Sequence, residues 1–490
     1  MNICVVVPSS EYLEQAGVRI RYERISAHLL SHGVILKFKV IEEFVENSYL
    51  NDDVYIISKV YDFRAVLLAA EITASGKLVG PDLFDDYFSD AEDFRFTRLR
   101  NWLAELTKFS SFALCSTDKI KNGLKAYLKE IPSHVMNDPA EIEPGGLQKV
   151  LELVESKQSQ LRDTRELRIV WFGIGDNPHF DVGIQDLVRF APQALRKLKV
   201  AFPNIKLTLL TNKRALTTDA YELLKKLPVK YSVELWSEEK EKALLADSSV
   251  ALLPVNYQSF SKVKSFNRAI TALTNGAQVL SLGYDLYAPL EKIIYRSPEE
   301  LIDDLESGSL RFSSANESVI NELFAKFASA VNEAERLGNF LTTLNAPNEK
   351  NENYVKLVSL GSSLDKNLYK FAAKYNWVCV SPPALSKRAN QILSIELSKD
   401  NSFYVFMGKG VQKTLIDIQN NSATQVISKP IQDSTKLSGR VEDLFSYSGN
   451  SFTDSILHQQ SFAITESVAD ECFAEYVLIN AETSKSFFAY

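Results

Sequence analysis

A chain of 490 residues with 45% apolar and 11% aromatic content can bury enough surface to offset its ordering entropy, and its length implies about three folded domains rather than one core. Lys and Arg total 55 against 62 Asp and Glu, a formal charge of −7, and the basic residues are scattered, which argues against nucleic acid as a partner. No stretch approaches the ~18 apolar residues of a membrane span, so any membrane contact is expected to be peripheral.

The chain opens MNICVVVPSS, a short apolar run that stops at Pro8 without the basic flank and long apolar core of a secretory leader, and Ile3 to Val7 reads as a first strand. A loop is expected from Pro8 to Gly17, then a helix from Arg21 to Ser31, where Ile25, Leu29 and Leu30 recur at helical spacing. Gly33 is a C-cap candidate, and Val34 to Val40 follows as a second strand. Strands at Val54 to Ser58, Leu78 to Gly80 and Phe112 to Cys115 alternate with helices at Phe63 to Ser75 and Phe94 to Phe109, the order of a parallel sheet covered on both faces. Glu143 to Thr164, with Pro144, Gly145 and Gly146 ahead of a charged helical run, has the break and polarity of a linker.

A second series then begins. Strands are expected at Leu167 to Phe172, Ile205 to Leu210, Val233 to Leu235 and Ala251 to Pro254, with helices at Ile184 to Lys199, Asp219 to Leu227, Glu238 to Leu245 and Asn267 to Asn275. Asn316 to Leu344 is a long helical run, and the polar stretch Asn345 to Asn353 marks a boundary. Beyond it, Val355 to Ser359, Trp377 to Val380 and Phe403 to Met407 read as strands and Lys366 to Lys374 as a helix. Tyr476 to Ile479 and Ser486 to Tyr490 suit a closing hairpin. Cys4, Cys115, Cys379 and Cys472 are far apart with no C-x-x-C, as expected of reduced thiols in the cytoplasm.

The segment KSFNRAITALTNGAQVL, Lys264 to Leu280, is the sharpest chemical signal. Ser265 is expected to cap a helix beginning near Phe266, whose first N–H groups and dipole would face an anion; Lys264 and Arg268 add two cations at the same end. A leaving diphosphate gains charge as its bond to a sugar breaks and needs such a site. Lys213 and Arg214, after an expected strand, are further candidates for the same positive pocket.

This segment resembles the K-S-x-N-R stretch of GT-B-type glycosyltransferases of group 1, the family-4-like kind, common in bacterial polysaccharide and glycan biosynthesis. Val170-Trp171-Phe172-Gly173, Asn177, Leu207 to Asn212, Trp236-Ser237 and Asp247 to Val255 resemble the same family in order and spacing, so the match covers about 165 to 295. Two acids that many members carry are missing, since Thr271 and Val263 stand in their places. The resemblance implies an α/β chain with two Rossmann-like doubly wound domains, an acceptor-side domain at 1–160 and a nucleotide-sugar domain at 161–344. An additional α/β or α+β domain of unassigned role would follow at 345–490.

The implied activity is transfer of a sugar from a nucleoside-diphosphate donor to a saccharide or lipid-linked acceptor, retaining and metal-independent, in the cytoplasm or at the inner face of its membrane. The implied donor-binding residues are Gly17, Gly173, Asn177, Lys264, Ser265, Asn267, Arg268 and Thr271. Gly17 lacks a Cβ and permits close backbone approach to a ligand. Lys59, Asp85 and Asp86 fall at expected strand C-terminal ends, where open α/β sheets bind ligands, and are the catalytic candidates. No cofactor beyond the donor and no metal is expected: the chain has no Asp-x-Asp, and its histidines, His28, His32, His134, His179 and His458, form no ligand spacing. A catalytically inactive binding or scaffolding protein of the same fold is the alternative, suggested by Thr271 and Val263. A dinucleotide oxidoreductase fits poorly, because no G-x-G-x-x-G follows either first strand.

Overall fold

A computed structural model describes residues 1–345 apart from 47–49, 62, 129–130, 141 and 143–144, and beyond them the backbone of nine strands between Tyr354 and Ala489. The first sheet holds β1 (Asn2–Val7), β2 (Ile35–Val40), β3 (Val54–Ser58), β4 (Leu78–Leu83), β5 (Ala113–Cys115) and β6 (Ser133–Val135), in the order β2-β1-β3-β4-β5-β6 and all parallel. Period-2 alternation sends Cys4 and Val6 to one face and Ile3, Val5 and Val7 to the other, and both faces are buried cores. That double burial is why β1 reads as an unbroken apolar run.

The second sheet holds β7 (Glu166–Phe172), β8 (Asn204–Thr211), β9 (Tyr231–Leu235), β10 (Val250–Val255) and β11 (Gln278–Gly283), parallel throughout, in the order β11-β10-β7-β8-β9. The two doubly wound α/β units expected from the sequence are therefore present. In each, the chain reverses its direction of travel across the sheet, between β1 and β3 in the first and between β7 and β10 in the second. Helices leave to opposite faces at such a point, which opens a crevice at the strand C-terminal ends.

Several elements differ from the sequence reading, in part because burial overrode local pattern. The loop expected from Pro8 to Gly17 contains short helices at Ser10–Leu13 and Ala16–Val18, since Tyr12 and Val18 are buried under the sheet. The expected start of the next helix, Arg21, lies inside a π-helical turn, Arg19–Glu23, and the regular helix is Arg24–Ser31. The wider turn buries Arg21 and Tyr22 side by side. Short helices at Asp118–Gly123 and Lys125–Leu128 and strand β6 were not expected.

The charged run taken for a linker is a 19-residue helix, Gly146–Thr164, whose Leu151, Val154 and Leu161 enter the second core. Its charges other than Lys157 lie mostly on the other faces and mask that apolar seam. Lys157 on this helix is buried and donates to the carbonyls of Leu245 (2.8 Å), Ser248 (2.9 Å) and Asn275 (3.0 Å), tying two helix C-termini to it.

The helix Ala330–Thr343 returns to the first domain, where Ala334, Leu337 and Leu341 pack on Tyr22, Ile25 and Leu29. Two chain crossings thus join the domains, and they touch where Ala140 N–H donates to Ala328 O at 2.8 Å. Fully buried Glu333 gathers His134 Nε2 (3.3 Å), Asn137 Nδ2 (3.1 Å) and Arg336 Nη2 (2.6 Å) beside that contact. Burial alone would raise the Glu333 carboxyl, but His134 and Arg336 hold it below its ordinary value.

Beyond residue 353, β12 (Tyr354–Leu360) pairs in parallel with β13 (Val378–Val380) and antiparallel with β19 (Ala474–Asn480), which pairs with β20 (Ser486–Ala489) as the expected closing hairpin. A separate antiparallel sheet runs β14 (Ile392–Leu397), β15 (Ser402–Met407), β16 (Gln412–Asp417), β17 (Ser422–Gln425) and β18 (Ser438–Arg440) in sequence order. The expected helix at Lys366 to Lys374 lies outside the described residues.

Candidate active site at the seam between the two sheets

The chain leaving β7 turns at Gly173, whose φ of 140° is closed to side-chain-bearing residues. Gly173 N–H donates to Leu210 O (3.1 Å) and its carbonyl accepts from Thr211 Oγ1 (2.8 Å), so the turn is anchored to β8. Against it lies Arg268 from the helix Asn267–Thr274: a Cβ on Gly173 would sit 3.2 Å from the guanidinium carbon. Arg268 donates Nη2 to Phe172 O and lies over the Trp171 and Phe172 rings, at 5.9 and 5.5 Å. Its Nε is buried without a hydrogen-bond partner. Arg214 is spent elsewhere: it donates Nε to Asp176 Oδ2 at 2.7 Å, which braces the loop after Gly173.

On the first sheet, Lys59 follows β3 with φ 56°, one of two described non-glycine residues in that left-handed region. This geometry aims its ammonium at Asp85, two residues past the end of β4. Lys264, two residues beyond the short helix Ser259–Lys262, reaches the same carboxylate from the second domain. One carboxylate is thus shared by an ammonium from each side of the seam. Each cation also covers an aromatic face, Lys59 Nζ over Phe84 at 4.4 Å and Lys264 Nζ over Phe260 at 3.8 Å. Burial pushes the Asp85 carboxyl up, but the two lysines outweigh it and hold it well below the usual carboxylate range.

Beside this pair runs a buried chain of polar contacts. Arg21, 2% exposed, clamps Asp82 through Nε (2.9 Å) and Nη2 (2.6 Å), and Tyr22 Oη donates to Asp82 Oδ2 at 2.5 Å. Arg21 Nη1 also reaches Met136 O (3.0 Å) and Asp138 Oδ1 (2.8 Å). Asp138 Oδ2 then accepts from Ser265 Oγ at 2.5 Å, across the seam. An aromatic stack crosses there too: Phe180 lies on Phe260 (4.3 Å, 11°) and on Phe96 of the first domain (5.6 Å, 17°), with Tyr87 against both Phe180 and Phe260. Arg95 Nη1 donates to His179 O at 2.6 Å alongside.

The structure therefore gathers Lys59, Asp85, Lys264, Ser265, Arg268 and Gly173 along one seam between the two domains. Ser265 is not the expected helix cap: the cap position is Phe266, with no side-chain hydrogen bond, and the Ser265 hydroxyl is drawn to Asp138 instead. Gly17 is helical, and its missing Cβ makes room for Tyr12 Oη, 2.5 Å from where that atom would stand, with Phe84 next at 3.3 Å. Asp86 accepts from the N–H groups of Phe88 (3.1 Å) and Ser89 (2.9 Å), so it closes its own turn. Asn177 does the same for His179 (2.8 Å) and Phe180 (3.2 Å). Thr271 Oγ1 donates to Asn267 Oδ1 (3.2 Å) within one helix. Asp138 and Phe180 escaped the sequence reading, because a carboxylate with a distant partner and a stacked ring carry no periodic signal.

Among the described residues no group of three or more His, Cys, Asp or Glu converges as a metal site, and no helix is long and apolar enough to cross a membrane. No family model matches this chain, and no curated protein does. Solved structures do overlap it. Anabaena HepE in complex with UDP and glucose aligns over 70% of this chain and 99% of its own at 11% identity and TM-score 0.46. An E. coli trehalose-6-phosphate structure bound with UDP-2-fluoro glucose covers 71% and 100% at 10% and 0.48. Sucrose-phosphate synthase from Thermosynechococcus elongatus covers 70% and 98% at 12% and 0.47. At these scores the likeness adds nothing to the architecture that the two sheets already define.

Proposed function

We propose that this seam is the active site of a glycosyltransferase, with residues 1–160 holding a saccharide or lipid-linked acceptor and residues 161–344 a nucleoside-diphosphate sugar. The observation that carries the reading is the Asp85 carboxylate shared across the seam by Lys59 and Lys264, with Arg268 pressed against the Gly173 turn. As the bond from the anomeric carbon to the diphosphate oxygen breaks, negative charge grows on the leaving oxygen. Lys264, Arg268 and the uncapped N–H groups at the start of Asn267–Thr274 are poised to meet that charge. Side-chain cations suffice in principle, so the proposed mechanism is metal-independent. Asp85, rather than Asp86, faces the acceptor side, and Lys59 fixes it there. Retention of configuration, a cytoplasmic location and a peripheral contact with the membrane's inner face belong to the same reading, on the resemblance of Lys264 to Leu280 alone.

A panel of nucleotide sugars screened for thermal stabilisation tests this directly, since a ligand at ~100 times its dissociation constant adds about 2.7 kcal/mol. Lys264→Ala and Arg268→Ala are each expected to lower turnover by about 10² to 10³. Wild-type turnover in both variants would refute the assignment. The anomeric configuration of the product, read by NMR, decides retention. A second reading, a binding or scaffolding protein without donor chemistry, draws on Phe180, whose ring is stacked between Phe96 and Phe260 across the seam. It predicts that UDP, GDP and dTDP leave the melting temperature unchanged.

A further inference from the structure

We infer that Asp85 is a resident anion standing in for the ligand's diphosphate on Lys264, and that a pyrophosphate-bearing ligand binds by taking Lys264 away from it. The inference rests on the donor reading above and deepens it. Lys264 and Lys59 side chains are 36% and 25% exposed, while the Asp85 carboxylate between them is 10% exposed. A half-covered ammonium with no counter-ion would be costly, and Asp85 removes that cost in the resting protein.

The exchange is built in. Lys59 and Lys264 against Asp85 leave this triad with a net positive charge, so a diphosphate carrying more than one charge is a stronger partner for Lys264 than a single carboxylate. When Lys264 leaves, Asp85 keeps Lys59, so no buried charge is stranded. The seam also survives the loss of this one ion pair: Ser265 still meets Asp138 (2.5 Å), and Thr117 Oγ1 still donates to Val263 O (2.9 Å). After the exchange, Asp85 has one cation instead of two and binds a proton more readily, which suits a group facing an acceptor hydroxyl.

Calorimetry of the full chain with inorganic pyrophosphate tests the exchange. Asp85→Asn is expected to bind pyrophosphate on the order of tenfold tighter than the wild type, because the competing carboxylate is gone. Lys264→Met is expected to lose the binding. Should Asp85→Asn fold poorly, the charge-balanced pair Lys59→Met with Asp85→Asn replaces it and is expected to bind more tightly than Lys59→Met alone. Equal or weaker binding by the Asp85→Asn proteins, with Lys264→Met still inactive, overturns the exchange and leaves the diphosphate site standing. Unchanged binding by Lys264→Met overturns the site itself.

Discussion

At the edge of the first sheet charge is buried and paired, whereas at the edge of the second the backbone and half-covered cations do the shaping. Arg21, Asp82 and Tyr22 form a network sealed from water, with partly exposed Asp138 at its rim, each donor meeting an acceptor at 2.5 to 3.0 Å. Across the seam, Gly173 supplies a turn that strains any other residue, and Arg268 keeps one buried N–H without a protein partner. A satisfied network gains nothing from a ligand and serves to hold its parts; an unspent donor is better off with one. The Arg21 network is thus the frame of the first edge, which also holds unpartnered hydroxyls at Tyr61 and Ser116, and Arg268 makes the second edge a receptor.

The contrast makes the frame costly to break. Arg21→Met strands Asp82 in the interior, and a loss of about 3 to 5 kcal/mol is expected, read as a lower urea midpoint. Replacing Asp82 as well, by Leu, is expected to recover only part of it, since the double variant removes the buried carboxylate but leaves Asp138 without its cation and the buried Tyr22 hydroxyl without its acceptor. A loss confined to ligand binding with stability intact would reverse the roles assigned to the two edges.

Asp186, in the first turn of the helix Ile184–Ala201, offers a pH-dependent measure on the receptor side. Burial raises its carboxyl to about 6, against the partial relief of hydrogen bonds from Asn256 Nδ2 (2.8 Å) and Gly183 N–H (3.3 Å). A folded-state value above the unfolded one means that the native protein binds the proton more tightly. The resulting stability is complete below about pH 4 and is lost as pH rises through 6. Across that window the wild type should lose about 2 to 3 kcal/mol relative to Asp186→Asn, which cannot ionise. Urea unfolding of both proteins from pH 4 to 7 reads the difference, and parallel curves would contradict it.

Gly173→Ala is the smallest perturbation of the three. A side chain at φ 140° costs on the order of 1 to 3 kcal/mol, and its Cβ would press on the Arg268 guanidinium 3.2 Å away. Ligand affinity is therefore expected to fall by more than the melting temperature alone implies. A variant with weakened stability and unchanged pyrophosphate binding would detach Gly173 from the site.

Much of this molecule was legible as a string of residues. Alternating apolar runs and helical spacings specify the two parallel sheets, because a strand covered on both faces must be apolar throughout. Val54 to Ser58 was placed to the residue, and the cations Lys264 and Arg268 were singled out from one short segment. Local chemistry misled where a polar group had a distant partner. Ser265 looked like a cap, yet the hydroxyl is claimed by Asp138, 127 positions away in the chain. Asp85 and Asp86 are adjacent and alike in sequence, yet one faces two lysines and the other closes its own turn.

The amino-acid order by itself determined most of the segments that are strands and helices and which residue types stand at the strand ends, since these follow from periodicity over a few residues; where the chain reverses across each sheet came only with the strand order. Only the tertiary structure decided which charges meet. Partner choice depends on how two domains, joined by two chain crossings, bring Lys59, Asp85 and Lys264 to one point, and a Coulomb interaction acts through distance in space, whatever the separation along the chain.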